Sequence, residues 1–213
     1  MTNAAMHVQS IHHMNIHTHN TTATRPLGLT EYPVLGTLSL GAAHGYDVFR
    51  FLNDNLHDIC HFGRSQTYAA LTRLQHEGLV THEKVEQENL PAKKVFQLAP
   101  IGREIFNSWV QAPVAHIRDL RVEFLVKLFF SGLTPSGVRE ILLTEQLKVC
   151  RRKTDRLMAL RRGARNFIEA QALDYRIAVV RATLEWLKGL MDSHSSSVRP
   201  NPHQSTGENK RKE

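Results

Sequence analysis

Polar and basic side chains without an intervening carboxylate occupy residues 61–76, a segment with helical periodicity. Arginine can contact phosphate or guanine, and glutamine can make a bidentate contact with adenine in the major groove of DNA. Serine, threonine and tyrosine hydroxyls can donate to phosphate oxygens. The residues that could make such contacts are Arg64, Ser65, Gln66, Tyr68, Thr72 and Arg73. A solvated helix surface is the alternative interpretation of the same pattern.

The spacing of the remaining residues predicts the helix that would carry these side chains. A buried stripe at intervals of three and four would consist of Thr67, Ala70, Leu71 and Leu74. Ser65 is the predicted N-cap, and Gly78 follows the end of the helix. The polar side chains then fall on the opposite face. We therefore predict a recognition helix over residues 65–77.

A hairpin with lysines near its tip is predicted directly after this helix. Residues 79–85 and 95–98 have the composition of short strands, and the predicted turn consists of Asn89, Leu90 and Pro91. Lys93 and Lys94 follow the turn and could contact phosphate. Glu83, Glu86 and Glu88, in and directly after the first strand, weaken its attraction to DNA. A recognition helix followed by such a wing is the element order of a winged helix-turn-helix.

Further helices are predicted on both sides of this unit. Residues 30–41 begin with a capping Thr30 and end at a glycine, and a second helix starts near His44. A fourth helix over residues 100–110 would close the core through Ile101, Ile105, Phe106 and Trp109. His44 and Tyr46 are interpreted as packing and turn residues. Residues 30–112 are thus predicted to form a winged helix-turn-helix domain.

Long helices are predicted between residues 113 and 192. One of them, over residues 135–165, would be about 45 Å long at 1.5 Å per residue, which favours a partner helix from a second chain. Packing of the helices within one monomer is the alternative. The predicted dimerisation residues are Leu120, Phe124, Leu128, Leu173, Ile177, Val180, Leu184, Leu187 and Met191. The fold class is therefore mainly α with a small β wing, in which an antiparallel helical or coiled-coil dimerisation domain follows the winged domain.

Composition places limits on partners and location. The 213 residues carry a net charge of +7, yet residues 1–113 contain 8 Lys and Arg against 9 Asp and Glu. The basic excess lies outside the predicted winged domain, so overall charge is weak support for DNA binding. No apolar run approaches the roughly 20 residues that span a bilayer, and residues 1–24 lack the pattern of a secretory signal. We expect no membrane contact and a cytoplasmic location.

The two ends of the chain are predicted to be disordered. Residues 1–29 form a polar, histidine-rich tail, and residues 193–213 form a basic tail rich in serine, proline and asparagine. The histidine cluster in the first tail consists of His7, His12, His13, His17 and His19. It lacks fixed geometry and cysteine or carboxylate partners, so we predict no metal site there.

Neither catalysis nor a cofactor is indicated by the sequence. No nucleophile elbow, zinc-protease motif or glycine-rich phosphate loop occurs in it. Cys60 and Cys150 are isolated and are expected to remain reduced thiols; a redox-sensing pair is the less favoured alternative. We predict that the chain is not an enzyme and binds no cofactor or metal.

Three segments resemble the PadR family of bacterial transcriptional regulators: LSLGAAHGYDV, TYAALTRLQHEGLV and KKVFQLAPIGRE, and RDLRVEFLVKLFFSGL extends the match. The resemblance implies a winged helix-turn-helix, dimerisation through C-terminal helices, and control of nearby genes in response to small, often aromatic, ligands. Ala69, the wing-tip pair at residues 89–90 and the helix start at residues 99–100 depart from the family's usual residues. The departure at the wing tip could shift its phosphate contacts.

These observations favour a homodimeric repressor that binds a palindromic operator in double-stranded DNA. An activator with the same fold is an alternative, because the sign of regulation depends on the operator position. A protein-interaction module without DNA affinity is the other alternative, supported by the near-neutral winged domain. A small-molecule effector is expected in a cleft between the winged domain and the first C-terminal helix.

Overall fold

The computed structural model describes residues 27–87, 90–135 and 137–197, and the side chains of residues 85–87, 90–93 and 194–197 are outside that description. The histidine cluster and most of both predicted tails also lie outside it. The elements are α1 (Glu31–Ser39), β1 (Ala43–His44), α2 (Gly45–Leu56), α3 (Arg64–His76), β2 (Val80–Gln87), β3 (Leu90–Leu98), α4 (Pro100–Gln111), a 3₁₀ helix (Ile117–Arg121), α5 (Glu123–Ser131), α6 (Val138–Arg162) and α7 (Phe167–Ser197). Helix α7 continues past the predicted boundary at residue 192.

The fold class is confirmed: the structure is mostly helical and has a small three-stranded antiparallel sheet with the order β1-β3-β2. The wing is longer than predicted, because Leu90 pairs with Gln87 and both Leu90 and Pro91 lie in β3 instead of the turn. Strand β1 pairs with β3 only near Phe96, so Pro91 lies where β3 has no neighbour on that side. Proline cannot donate to a ladder hydrogen bond and is therefore found mainly at sheet edges and bulges.

Helix α3 carries the predicted buried stripe, and Thr67, Ala70, Leu71 and Leu74 are all at most 1% exposed. Its N-cap is Gly63 and not Ser65, so the helix starts one residue earlier than predicted. The Gln66 side chain provides the cap, because its Oε1 accepts a hydrogen bond from the Gly63 N–H at 3.3 Å. Gly78 ends the helix as predicted, with a φ of 71° that favours glycine.

Two hydrophobic cores share helix α5. Val126 and Phe130 pack into the core of the winged domain, whereas Phe124 belongs to the core around α6 and α7. Gly36 permits the close approach of α1, since a Cβ there would lie 2.7 Å from the Phe130 ring. Helix α4 closes the first core, but Ile101, predicted to help, is 51% exposed. Ile101 is the second residue of α4, and a side chain in the first turn of a helix has few neighbours, which explains this difference.

The two cores are joined by a buried lysine on α5. Lys127 Nζ donates to the Ala112 carbonyl oxygen at 2.9 Å and lies 2.9 Å from a Glu123 carboxylate oxygen. The same ammonium lies 4.9 Å from the centre of the Trp109 ring, and Tyr32 stacks on that ring with centroids 4.4 Å apart. Each of these contacts compensates part of the cost of burying a charge.

A second polar contact fixes the segment between the cores. Gln146 on α6 is 1% exposed, and its Oε1 accepts from the Val114 N–H at 2.8 Å. Its Nε2 donates to the Val114 carbonyl oxygen at 3.2 Å. The side-chain amide of Gln146 thus makes the two hydrogen bonds with Val114 that a neighbouring strand would otherwise make. Both backbone groups of Val114 are satisfied although they are buried.

The dimerisation residues predicted from the sequence lie in the core of the single chain. Helices α6 and α7 pack against each other, and the predicted residues on α5, the 3₁₀ helix and α7 all belong to this second core or pack against it. Most of their surface is covered by their own chain, and their assignment to a dimer interface stays a prediction. Helix α6 is also shorter than predicted, because it starts only after Gly137, which has a φ of 101°.

The sequence contains no apolar run long enough to span a membrane, and the helices of the described residues can be compared with this. None of the helices there is long and apolar enough to cross a membrane.

Replacing Lys127 with methionine should lower the free energy of unfolding by about 2 kcal/mol, because the helix-capping hydrogen bond and the ion pair are lost together. Lys148→Met is the matched control, since Lys148 is exposed and pairs only with Glu145 on its own helix. Its effect should stay within about 0.5 kcal/mol. Urea denaturation of both variants measures the difference, and equal losses would contradict the assigned role of Lys127.

Candidate nucleic-acid interface

The exposed face of α3 is free of carboxylates along its whole length. Helix α3 contains no Asp or Glu, and its polar side chains point away from the buried stripe. The exposed residues predicted to contact DNA are Arg64, Ser65, Gln66, Tyr68, Thr72 and Arg73. Such a face can approach phosphate without electrostatic repulsion, so the structure places the predicted residues of this helix on one surface.

Gly45 allows Tyr68 to lie against the start of α2. A Cβ at residue 45 would be 2.9 Å from Tyr68 Cε1, so a larger residue would push the ring away. Tyr68 remains 39% exposed. His44, directly before the helix, has its Nδ1 3.2 Å from the Lys94 carbonyl oxygen, which makes Nδ1–H the donor. These contacts bring the start of α2, helix α3 and strand β3 together.

Tyr46 is part of the exposed surface and not of the core. It is 48% exposed, and the Arg64 guanidinium lies 5.3 Å from the centre of its ring. Its ring also lies 6.2 Å from that of Phe49, so Tyr46 packs on its own helix at the helix start, as predicted, while half of it stays exposed. Residues 44–46 lie at the start of α2. Polar side chains there can face solvent even though the apolar residues of the helix begin at the same point. In the sequence HGY, the only sign of this surface is the glycine, which is needed because Tyr68 lies close to Gly45.

A groove of about 440 Å³ runs between α2, α3 and β3. Its polar lining includes His44, Tyr46, Asp47, Tyr68, Thr72, Gln75 and Lys94. The first turn of α2 contributes backbone N–H groups and the positive end of the helix dipole, an arrangement that binds anions. Asp47 opposes this field, but it lies 3.9 Å from Arg50 of the same helix. Two tyrosine hydroxyls and one ammonium thus surround a groove that fits a phosphate chain.

The wing has a third lysine, Lys84, that sequence reasoning missed. Lys84 on β2 is the register partner of Lys94 on β3, and both are exposed. Directly opposed residues share one face of a sheet, and like charges there destabilise the pair. An anion between the two would remove that repulsion. The strand register alone reveals this pair, which is why the sequence did not. The side chain of Lys93 lies outside the described residues.

Two of the predicted contact residues already have partners within the chain. Gln66 forms the cap of α3, and Arg73 Nε lies 2.7 Å from Oε1 of Glu31, which is 2% exposed. Glu31 also accepts a hydrogen bond from the Gly28 N–H. Arg73 therefore orients α1 and the segment before it against the recognition helix. Its guanidinium is 48% exposed and keeps further donors for an outside acceptor.

The two cysteines do not have the surroundings of a redox centre. Both are free thiols, and burial raises the pKa of Cys60 and of Cys150. A raised pKa leaves little thiolate near neutral pH, and the thiolate is the reactive form. Within residues 27–87, 90–135 and 137–197, no group of three metal-ligating side chains is placed to hold an ion.

Two family models match the chain in succession. The model of the transcriptional regulator PadR-like family matches residues 34–108, and the model of the virulence activator alpha C-terminal region matches residues 120–192. Over residues 34–108 the chain is thus similar to the PadR-like family. The first match covers the winged domain with its groove, and the second covers α5, α6 and most of α7. Members of this family are transcriptional regulators and not enzymes, which agrees with the prediction made from the motifs.

Relatives of this PadR-like chain include the negative transcriptional regulator PadR of Bacillus subtilis strain 168, which is 25% identical over 118 residues. That match covers 55% of this chain and 65% of the relative, so it spans slightly less than two thirds of the relative's length. The crystal structure of Bacillus subtilis PadR in complex with operator DNA has 22% identity, a TM-score of 0.42, and coverage of 79% of this chain and 98% of that one. The Vibrio cholerae virulence activator AphA has 20% identity, a TM-score of 0.34, and coverage of 79% and 99%.

A double-mutant cycle on Glu31→Gln and Arg73→Gln in this PadR-like chain should give a coupling energy of about 1 to 2 kcal/mol, because the pair is close and one partner is buried. The cycle is measured by urea denaturation of the two single variants and the double variant. Arg161 and Asp174 form the exposed control pair, also with a 2.7 Å contact. Additive effects at residues 31 and 73 would show that Arg73 is not held by Glu31.

Proposed function

We propose that this PadR-like protein is a homodimeric repressor that binds a palindromic operator in double-stranded DNA. The observation that carries the proposal is the carboxylate-free face of α3 beside a groove with Tyr46, Tyr68 and Lys94. Helix α3 enters the major groove, and the start of α2 and the wing contact the phosphates on either side. Ser65 and Thr72 donate hydroxyl groups from the same face.

The contacts divide into those that read sequence and those that position the protein. Gln66 can turn from its capping position to an adenine edge, and Arg64 can reach guanine or phosphate. The hydroxyls of Tyr46 and Tyr68 and the ammonium groups of the wing contact phosphate, which fixes the register but carries no sequence information. Arg73 contacts phosphate with the donors that Glu31 leaves unused. Because the winged domain is near neutral, affinity depends on this local arrangement.

A second seam on α7 supports the homodimer. It steps alternately by four and three residues and consists of Ile168, Ala172, Tyr175, Val179, Ala182 and Trp186. All of these except the half-buried Val179 are exposed, and Ile168 and Tyr175 are 74% and 72% exposed. An apolar seam of this length on a single-chain surface favours a partner helix. The α7 helices of two copies pack along it.

Two-fold symmetry sets the form of the operator. The two α3 helices contact half-sites whose centres are about 10 or 20 base pairs apart, one or two turns of DNA. Repression is the proposed sign because the relative in Bacillus subtilis is a negative regulator. Activation by the same binding mode requires only an operator placed differently relative to the promoter.

A small-molecule effector completes the proposed function. Bacillus subtilis PadR has been crystallised in complex with p-coumaric acid. In this chain an open groove lies between the 3₁₀ helix and the α6–α7 pair. The cleft between the winged domain and the first C-terminal helix is the other place where an effector could bind. An effector acts by binding one of two dimer arrangements more tightly than the other.

The near-neutral charge of the winged domain favours one other function, that of a protein-interaction module without DNA affinity. The two functions differ in their salt dependence. Phosphate neutralisation makes DNA affinity fall steeply with salt, whereas a packed apolar interface changes little. Genome-wide mapping of bound DNA distinguishes them directly, since the interaction module would enrich no specific fragment.

Tyr68→Phe should weaken operator binding about fivefold, because one phosphate hydrogen bond is lost while the ring that packs on Gly45 is kept. Lys94→Ala should weaken it about tenfold and lower the salt slope by about one. Gel-shift titrations use upstream DNA of the protein's own gene and its neighbours at several salt concentrations. Lys188→Ala, an exposed lysine on α7, is the control. Undiminished binding by both interface variants would contradict the assigned contacts.

Ala172→Glu should convert the dimer to a monomer, because it buries a carboxylate in the second seam of α7. Ala178→Glu is the matched control, an identical change at an exposed position on another side of the same helix. Sedimentation equilibrium measures the dimer dissociation constant of each variant, and we expect at least a hundredfold increase only for Ala172→Glu. Equal dissociation constants would place the interface elsewhere.

A further inference from the structure

Positive charge is concentrated in the second half of α6 and in the loop that follows it. Residues 146–165 contain eight Lys and Arg residues and a single carboxylate, that of Asp155. By contrast, residues 1–113 contain 8 Lys and Arg against 9 Asp and Glu. Clustered charge of one sign raises the local concentration of ligands of the opposite sign. The second half of α6, and not the winged domain, therefore supplies the field that attracts a polyanion.

Four of these arginines have no counter-charge in the described part of the chain. Arg161 pairs with Asp174 at 2.7 Å, and Arg165 pairs with Glu169 at 3.3 Å. The exposed arginines that make no hydrogen bond or ion pair with the described residues are Arg151, Arg152, Arg156 and Arg162. Like charges at neighbouring positions of one helix destabilise it unless an anion lies between them.

The four unpaired arginines share one side of α6, which we call the basic face. At 3.6 residues per turn they fall within about 140° of the helix circumference. Cys150 and Leu157, which are buried, lie on the opposite side. From Arg151 to Arg162 the basic face is about 16 Å long, and a DNA strand carries one phosphate about every 3.4 Å along the duplex. The face thus spans about five phosphates of one strand.

The side chains between the arginines favour nucleic acid over a protein partner. They are those of Asp155 and Ala159, and no large apolar side chain of the described helix falls within the same arc. The centre of a protein–protein interface is depleted of charge and enriched in aromatic residues, whereas protein–DNA interfaces are polar, wet and strongly positive. Arginine also binds phosphate with two parallel N–H donors.

The basic face lies far along α6 from the winged domain. Val138, the first residue of α6, packs against the core of that domain. Arg151 and Arg162 follow it by about 20 and 36 Å along the helix axis. This separation favours contact with DNA other than the half-site assigned to α3.

We propose that the basic face binds the phosphate backbone of a second DNA duplex without regard to sequence. A protein bound to its operator then holds another segment of DNA through α6. The second contact rests on the proposed function only in that the first duplex is the operator. Contact between the basic face and a duplex requires neither α3 nor the wing.

The first experiment measures binding of a fluorescent 30-base-pair duplex of shuffled sequence by anisotropy at several salt concentrations. The double variant Arg152→Gln with Arg156→Gln should bind it about tenfold more weakly, and its salt slope should fall by about two, because two phosphate contacts are lost. Arg103→Gln with Lys188→Gln is the charge-matched control, since both residues are exposed and lie on other helices. Its dissociation constant should stay within twofold of that of the unmodified protein.

The second experiment tests whether two duplexes are held at once. Biotinylated upstream DNA of the protein's own gene is immobilised with bound protein, and the fluorescent shuffled duplex is then added. The unmodified protein and the control should retain the second duplex, whereas the double variant should bind the immobilised DNA and retain at least fivefold less. If no protein binds the immobilised DNA, the proposed operator function fails, but the anisotropy experiment still tests the basic face.

Three results would overturn the inference. The first is an affinity and salt slope of the double variant equal to those of the unmodified protein. The second is an equal loss in the control, which would mean that net charge and not the basic face matters. The third is loss of binding to fluorescent poly-glutamate with unchanged binding to the duplex, which would assign the basic face to an acidic protein segment. Circular dichroism of all variants verifies that the helices are retained.

Discussion

The buried ammonium of Lys127 is the contact on which the arrangement of the two cores depends. It comes from α5, which belongs to both cores, and it binds the carbonyl oxygen of Ala112 at the C-terminus of α4. A positive charge there complements the negative end of the helix dipole, and Glu123 and the Trp109 ring supply the remaining compensation. Burying a charge is favourable only with such partners, so α4 and α5 can pack in few other ways. The angle between α3 and the long C-terminal helices is set at this point.

Helix α1 extends the same set of contacts to the candidate interface. Glu31 pairs with Arg73 of α3, and the next residue, Tyr32, stacks on the Trp109 ring that Lys127 also contacts. Burial raises the pKa of Tyr32, and the charges of Glu123 and Glu31 raise it further, which shows how closely the two carboxylates flank this ring. Direct contacts therefore lead from the exposed face of α3 to the joint between the cores. If α5 shifts, at least one of these contacts must change, because packed interiors have few alternative arrangements.

The sequence predicted the elements better than it predicted their partners. Local signals were sufficient for α3, whose buried stripe and terminal Gly78 follow from periodicity and from backbone sterics. The N-cap at Gly63 was missed because a serine nearby had the stronger intrinsic preference, and a side chain three residues later supplied the cap instead. The pairing of β1 with β3 and the Lys84–Lys94 register depend on contacts between distant segments, which periodicity does not contain. For the same reason Arg73 was identified as exposed but its pairing with Glu31 was not.

The two seams of α7 show why a sequence pattern alone could not assign the dimer interface. The regular apolar spacing from Leu173 to Met191 is satisfied by α6 within the chain. The second spacing, which includes Ala172 and Ala182, has small residues that carry little hydrophobic signal. Only the burial of the first seam identifies the second as the surface that remains.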